Sequence, residues 1–158
     1  MPSLTVILGA IVLIIIIGLA GLKILGIWSK KHPPESFGIE FLEYDPGTPN
    51  FVSSKASKKD RHVEPLKING DSTQALSDLK DIVSSFPRTE ITHISSDELR
   101  AETTSPFFGF VDDLVFILQP EESQIEVRSS SRVGHSDMGT NAERIQKIRE
   151  HWEKRTPD

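Results

Sequence analysis

The 158-residue chain contains no cysteine. Disulfides, cysteine-based zinc sites and lipid attachment through cysteine are therefore excluded. The absence does not fix the compartment, because a small periplasmic domain can also fold without disulfides. The phosphate-cradling signatures G-x-G-x-x-G and P-loop are missing, as is the nucleophile elbow G-x-S-x-G. No two of the five histidines stand at metal-ligand spacing. No cofactor and no metal is thus expected. Positive charge is scarce outside the N-terminus. Setting aside Lys23, Lys30 and Lys31 leaves 15 basic against 23 acidic side chains. A domain that acidic makes a poor nucleic-acid binder, because phosphate contacts require local positive charge.

The first 22 residues lack any charge, and here the sequence turns informative. Leu4 to Leu22 is a run rich in Ile, Leu and Val, continuing past Lys23 through Ile24, Leu25, Ile27 and Trp28. About 20 apolar residues at 1.5 Å each span a bilayer core of ~30 Å. Residues 4–28 are thus expected to contact the lipid bilayer as a single membrane span. Trp28 suits the interface, Lys30 and Lys31 the headgroups, and Lys23 can snorkel. A cleaved signal peptide would have a basic start, a shorter apolar core and an A-x-A site, none of which occurs. Gly9, Gly18, Gly21 and Gly26 form no strict G-x-x-x-G, although Gly18 and Gly21 could mark a face for helix pairing. The lysines follow the run, so the positive-inside rule favours the cytoplasm over the periplasm for the rest of the chain.

The domain outline is an anchor with its flank at 1–32, a linker or first strand at 33–44, a domain at 45–154 and a frayed tail at 155–158. Phe37 to Tyr44 alternates weakly. Lys55, Lys58, Lys59 and Arg61 read as a solvated loop. Val63 to Ile68 reads as an edge strand, since Pro65 cannot donate to a central ladder. Asp71 and Gln74 cap a helix with the apolar stripe Ala75, Leu76, Leu79, Ile82, Val83 and Phe86, and Pro87 stops it. Glu90–Ile94 and Glu98–Thr104 pair around Ser95-Ser96-Asp97. Leu114 to Leu118 is apolar on both faces and reads as a central strand. Consecutive strands between two helices predict an α+β domain, with a mainly antiparallel sheet of about four to six strands and both helices packed on it.

The chemistry concentrates in Ile125 to Ile148, IEVRSSSRVGHSDMGTNAERIQKI. Period-two alternation puts Ile125 and Val127 on one strand face and Arg128, Ser130 and Arg132 on the other. Gly134 and Gly139 bracket a loop. Thr140 and Glu143 fit a capping box, with Asn141 as an alternative cap. Ile145, Ile148 and Trp152 then form a helical stripe. This stretch resembles the closing motif of the DUF1499 family of bacterial proteins. PNFVSS at 49–54, HVEPL at 62–66 and FVDDLVFIL at 110–118 resemble it too, so the likeness runs from about Asp45 to His151. The family is uncharacterised, so the resemblance implies a domain outline but no reaction. The position of Phe51 is commonly cysteine in that family, and its replacement here argues against a family-wide thiol nucleophile or metal thiolate.

The candidate ligand-binding residues are Asp112, Asp113, Arg128, Ser130, Arg132, His135, Asp137 and Asn141. Arg128 and Arg132 beside a helix start would suit an anion; the competing reading has them satisfying carbonyls and carboxylates within the domain. A hairpin of Phe116–Leu118 with Ile125–Val127 would bring Asp112-Asp113 near Arg128–Arg132, which favours a structural pair. Arg144, Lys147, Arg149 and Lys154 read as a solvated helix face. The leading expectation is a membrane-tethered, non-catalytic binding or accessory module of the bacterial inner membrane. Its partner would be a membrane protein, or a small anion at the Arg128/Arg132 face. The alternative is a membrane-bound hydrolase-like enzyme using Asp112/Asp113 with His135 or Asp137, and a third class is a purely structural subunit.

Overall fold

The computed structural model describes residues 2–70 and 72–155, and of Thr73 only the backbone. The apolar run folds as one helix, α1 (Leu4–Lys31). Its most apolar 18-residue window has a mean hydropathy of 2.9, and none of that window is buried in the protein. It is long and apolar enough to cross a membrane. Lys30 and Lys31 lie in its last turn, where cations favour the helix dipole.

Pro33 and Pro34 prevent the helix from continuing. The weakly alternating stretch after them is a short helix, α2 (Ile39–Glu43), and not a strand. Gly38, at φ 93°, turns the chain into it. The buried side chains of α2, Phe41 and Leu42, sit side by side in sequence, and one helical turn aims both at the sheet.

Six strands form one antiparallel sheet: β1 (Phe51–Ser53), β2 (Leu66–Lys67), β3 (Thr89–Ile94), β4 (Glu98–Thr104), β5 (Val111–Gln119) and β6 (Gln124–Ser131). The order is β1-β6-β5-β4-β3, and β2 also pairs with β6. β1 joins β6 at Phe51↔Ser130 and β2 joins it at Leu66↔Ile125, so two short strands share one edge. β5 is central, as its two-sided apolar pattern demands. The expected α+β class and the expected β3–β4 pair are therefore observed.

The helices α3 (Ser72–Ser84) and α4 (Thr140–Arg155) cover one face. Leu79, Val83, Ile145, Ile148 and Trp152 pack there on Leu99, Leu114, Phe116, Ile125 and Val127. The Trp152 indole satisfies its N–H by donating to the Lys67 carbonyl at 2.7 Å. Asp71, the expected cap of α3, lies outside the described residues. Arg155 is still helical and reaches Asp78 and Asp81 at 2.8 and 3.1 Å, so the last helix runs one residue beyond its expected end. Residues 156–158 lie outside the described residues.

The opposite face is covered as well. Phe41 and Leu42 pack on Val115 and Ile117, with Phe37 at the margin. β6 is buried through six successive residues, so its polar alternation does not mark a solvent face. Phe116→Ala, in the fully buried layer beneath α3 and α4, will lower the unfolding free energy by about 3–5 kcal/mol. Urea titration of the full chain in micelles measures this as a lower midpoint with an unchanged slope.

Candidate functional site

Successive strand residues point to opposite faces, and this separates the two neighbouring aspartates. Asp113 turns towards α2 and Asp112 towards α4. Asp113 is buried, and Arg132 donates to both of its oxygens, Nε to Oδ2 at 2.8 Å and Nη2 to Oδ1 at 2.6 Å. Arg132 Nη2 also reaches Glu102 on β4 at 2.6 Å, and Nη1 donates to the Ser29 carbonyl of α1 at 3.2 Å. Only 3% of the Arg132 side chain is exposed. Burial pushes the Asp113 carboxyl up, against the pull of the Arg132 guanidinium.

Asp112 instead accepts from Arg144 of α4 at 2.6 Å. Arg144 Nη1 also donates to Ser129 Oγ at 2.8 Å and to Asn141 Oδ1 at 2.6 Å. Arg144 is therefore drawn into the domain, contrary to its expected place on a solvated face. The expected structural pairing of carboxylates with arginines is present, but one partner is Arg144, on the other layer.

Arg128 is 1% exposed and lies between two aromatic rings, 4.6 Å from the Phe41 centroid and 4.3 Å from that of Phe51. Its Nη1 donates to the carbonyls of Tyr44 at 2.7 Å and Leu42 at 3.4 Å. Its Nε has no partner among the described residues. Desolvation brings this guanidinium down to about 10, with Asp45 pulling the other way. The folded state thus disfavours the cation relative to the unfolded chain. That destabilisation is fully present at neutral pH and is relieved only as pH rises above about 10. The two rings and two carbonyls offset part of it. With Arg128 and Arg132 both enclosed by internal partners, neither guanidinium is open to an anion from solvent.

Glu126, on the same face, is 1% exposed. It accepts from Lys55 at 2.8 Å, from Gln124 at 2.8 Å and from the Ser54 hydroxyl. The Lys55 ammonium is held above its ordinary range by this carboxylate. The basic loop is thus not wholly solvated: Lys55 serves a buried acid, and Lys58 pairs with Asp45 at 2.8 Å.

In the loop after β6, the bracketing Gly134 and Gly139 have φ of 93° and 82°, a conformation that glycine adopts without strain. Helix α4 is capped by Asp137, not by Thr140 and Glu143. The Asp137 carboxylate accepts from Gly139 N at 3.1 Å and Asn141 N at 3.0 Å. Thr140 is already helical, and Glu143 pairs outward with Lys147 at 2.6 Å. The Asp-x-Gly turn places the acceptor three residues before the Thr140 of the expected capping box. Asn141 is fully buried and works as a hub. Its amide donates to the Asn50 carbonyl and Ser131 Oγ, both at 3.0 Å, and its oxygen accepts from Ser129 Oγ at 2.6 Å. Asn50 in turn donates to the carbonyls of Ser131 and Gly134 at 3.1 and 2.9 Å. Ser130 is buried between Phe51 and Asp113 on the flanking strands. His135 is exposed. Among the described residues no group of three His, Asp or Glu is placed to hold a metal ion.

Arg144, Asn50, Glu126 and Ser29 were not singled out by sequence. Only Arg144 left a signal, since it stands one turn after Asn141 on the same helix face. A cavity of about 710 Å³ lies between β2 and α4, lined by Glu64, Pro65, Lys67, Gln124, Arg149 and Trp152. None of the candidate residues lines it.

The model of one protein family matches residues 42–151: DUF1499, described as a protein of unknown function. The chain belongs to the DUF1499 family. No curated protein and no solved structure gives a significant match. The DUF1499 match opens inside α2 at Leu42 and closes in α4 at His151. It therefore takes in Asp113, Arg128, Arg132, Asn141 and Arg144, while α1 with Ser29 lies outside.

Arg132→Ala will strip Asp113 of its buried partner and lower the unfolding free energy by ~3–5 kcal/mol. Adding Asp113→Asn will restore part of that loss, because the remaining group no longer carries a charge. Arg128→Ala will lower stability by about 3 kcal/mol through lost packing between the rings. Arg128→Met, which refills the slot without a desolvated cation, will lower it less. Denaturant titrations of the four variants read out both comparisons.

Proposed function

We propose that this DUF1499 protein is a single-pass, membrane-anchored accessory module that performs no catalysis and holds its domain in a fixed pose at the membrane surface. The observation that carries this reading is the junction between α1 and the sheet. Ser29 is fully buried. Its hydroxyl accepts from Val111 N at 3.0 Å, and its carbonyl accepts from Arg132 at 3.2 Å. Gly26 is also buried, and a Cβ there would run into the Phe108 carbonyl oxygen. Signal-peptide cleavage needs an exposed, extended segment after the apolar core. Here that segment is helical to Lys31 and built into the domain. This packing supports a retained anchor over a discarded leader.

The non-catalytic part of the proposal rests on the carboxylates. Asp112 and Asp113 serve opposite faces of the sheet, and each is engaged by an arginine. A hydrolytic site needs such groups convergent on one substrate position. For the side of the membrane, Lys23, Lys30 and Lys31 favour a cytoplasmic domain. The partner we propose is a membrane protein, because an immobile domain presents one surface to neighbours in the bilayer.

Intact-mass measurement of protein expressed in bacteria tests the anchor. Retention of the N-terminal 31 residues, with resistance to carbonate extraction, is the expected result. A chain shortened near residue 28 and released to the soluble fraction would sink the proposal. Asp158→Cys, a unique thiol, reports the side: labelling by an impermeant reagent only after lysis is expected.

A further inference from the structure

We propose that the loop joining β4 to β5, Ser105-Pro106-Phe107-Phe108-Gly109-Phe110, inserts its phenylalanines into the bilayer beside α1, so that the domain touches lipid at a second place. This rests on the reading of α1 as a retained membrane anchor.

The first observation is depth. Lys23 is the first charged residue after the uncharged run Leu4–Leu22. That run spans ~28 Å at 1.5 Å per residue, close to the hydrocarbon thickness. Lys23 therefore marks the boundary between acyl chains and headgroups. The loop sits at this level. Lys23 Nζ donates to the Phe107 carbonyl at 3.4 Å. The Phe108 carbonyl packs on Gly26, one turn further along the helix. The exposed Trp28, at a position suited to the interface, lies two residues on.

The second observation is chemistry. No charged residue occurs between Glu102 and Asp112. Phe107 is 81% exposed, more than any other large apolar side chain of the domain except Met138. Phe108 and Phe110 stand behind it with centroids 5.6 Å apart. An apolar cluster held out from the protein at interface depth has the acyl boundary as its surroundings.

The third observation is the backbone. Unsatisfied peptide groups oppose insertion into lipid. Here the loop closes on itself: Ser105 N donates to the Phe110 carbonyl at 2.8 Å, and Phe110 N donates to Ser105 Oγ at 2.9 Å. Lys23 takes the Phe107 carbonyl. Gly109, at φ 78°, makes the reversal without strain. The loop thus enters with its ends already paired, Phe107 exposed and Phe108 and Phe110 half-buried.

The chain lacks cysteine, so single cysteines carry an environment-sensitive fluorophore without interference. Three variants of the full chain are reconstituted in phosphatidylcholine–phosphatidylglycerol vesicles: Phe107→Cys, Leu13→Cys in mid-span, and Glu121→Cys at the far end of β5. Quenching by lipids spin-labelled near the headgroup or near the chain end is then compared. The expected result is a blue-shifted probe at 107, quenched most by the shallow label. The probe at 13 should be quenched most by the deep label, and the probe at 121 by neither. If 13 is quenched while 107 behaves like 121, the loop lies in water and the inference is overturned with the anchor intact. A probe at 107 that is blue-shifted yet unquenched is covered by protein, such as a second copy, and this also overturns it. An unquenched probe at 13 overturns the anchor, and the loop insertion with it.

Discussion

The constraint on which the rest depends is the burial of charge on one face of the sheet. Arg128, Arg132, Asp113 and Glu126 all lie on the α2 side and are all buried or nearly so. A buried charge must be paired or satisfied by dipoles. Each requirement recruits a different part of the chain. Glu126 brings in the loop at Ser54 and Lys55. Arg128 brings in the carbonyls that end α2. Arg132 brings in Glu102 and the last turns of α1. The segments without regular structure are placed by this face, and the helices α3 and α4 by the other.

The two faces thus divide the labour. The α3/α4 side is an apolar core whose few polar groups, Ser129, Asn141, Arg144 and Asp112, close into one network at its edge. The α2 side is ionic and aromatic, with Phe41 and Phe51 flanking the Arg128 guanidinium. Burying ions is weak evidence for stability, since apolar replacements often do as well. Geometry is what such pairs specify: a planar, forked donor accepts few alternative arrangements.

Local periodicity made much of this legible. The stripe of α3, the hairpin of β3 and β4 and the two-sided apolar β5 all announce themselves within a dozen residues. What remained hidden depends on contacts across the chain. Phe37–Tyr44 alternates like a strand, yet the need to set Phe41 and Leu42 together on Val115 and Ile117 selects a helical turn. The partners of Arg128 and Glu126 stayed hidden because nothing nearby in sequence reveals that α2 and the Lys55 loop will cover them. The pairing of acids with arginines was foreseen in kind, but Asp112 chose Arg144, whose helix position left it facing β6. Asp137 displaced Thr140 as the cap because the turn at Gly139 delivered its carboxylate first.

The clasp at Ser29 carries a consequence for how the protein is made. Ser29 and Arg132 are 103 residues apart, and the carbonyls that receive Arg128 are separated from it by 84 and 86. A chain emerging N-terminus first delivers α1 and α2 long before β6 exists. Closing such distant pairs is slow, because the entropy of a large loop is lost before the contact forms. Until β5 arrives, Phe41 and Leu42 have no strand to cover, and until Arg132 follows, the end of α1 is only half seated. Assembly of the ionic face therefore waits until Arg132 has emerged, late in synthesis, and a chain interrupted before it would leave the apolar helix α1 trailing an unfolded, adhesive stub.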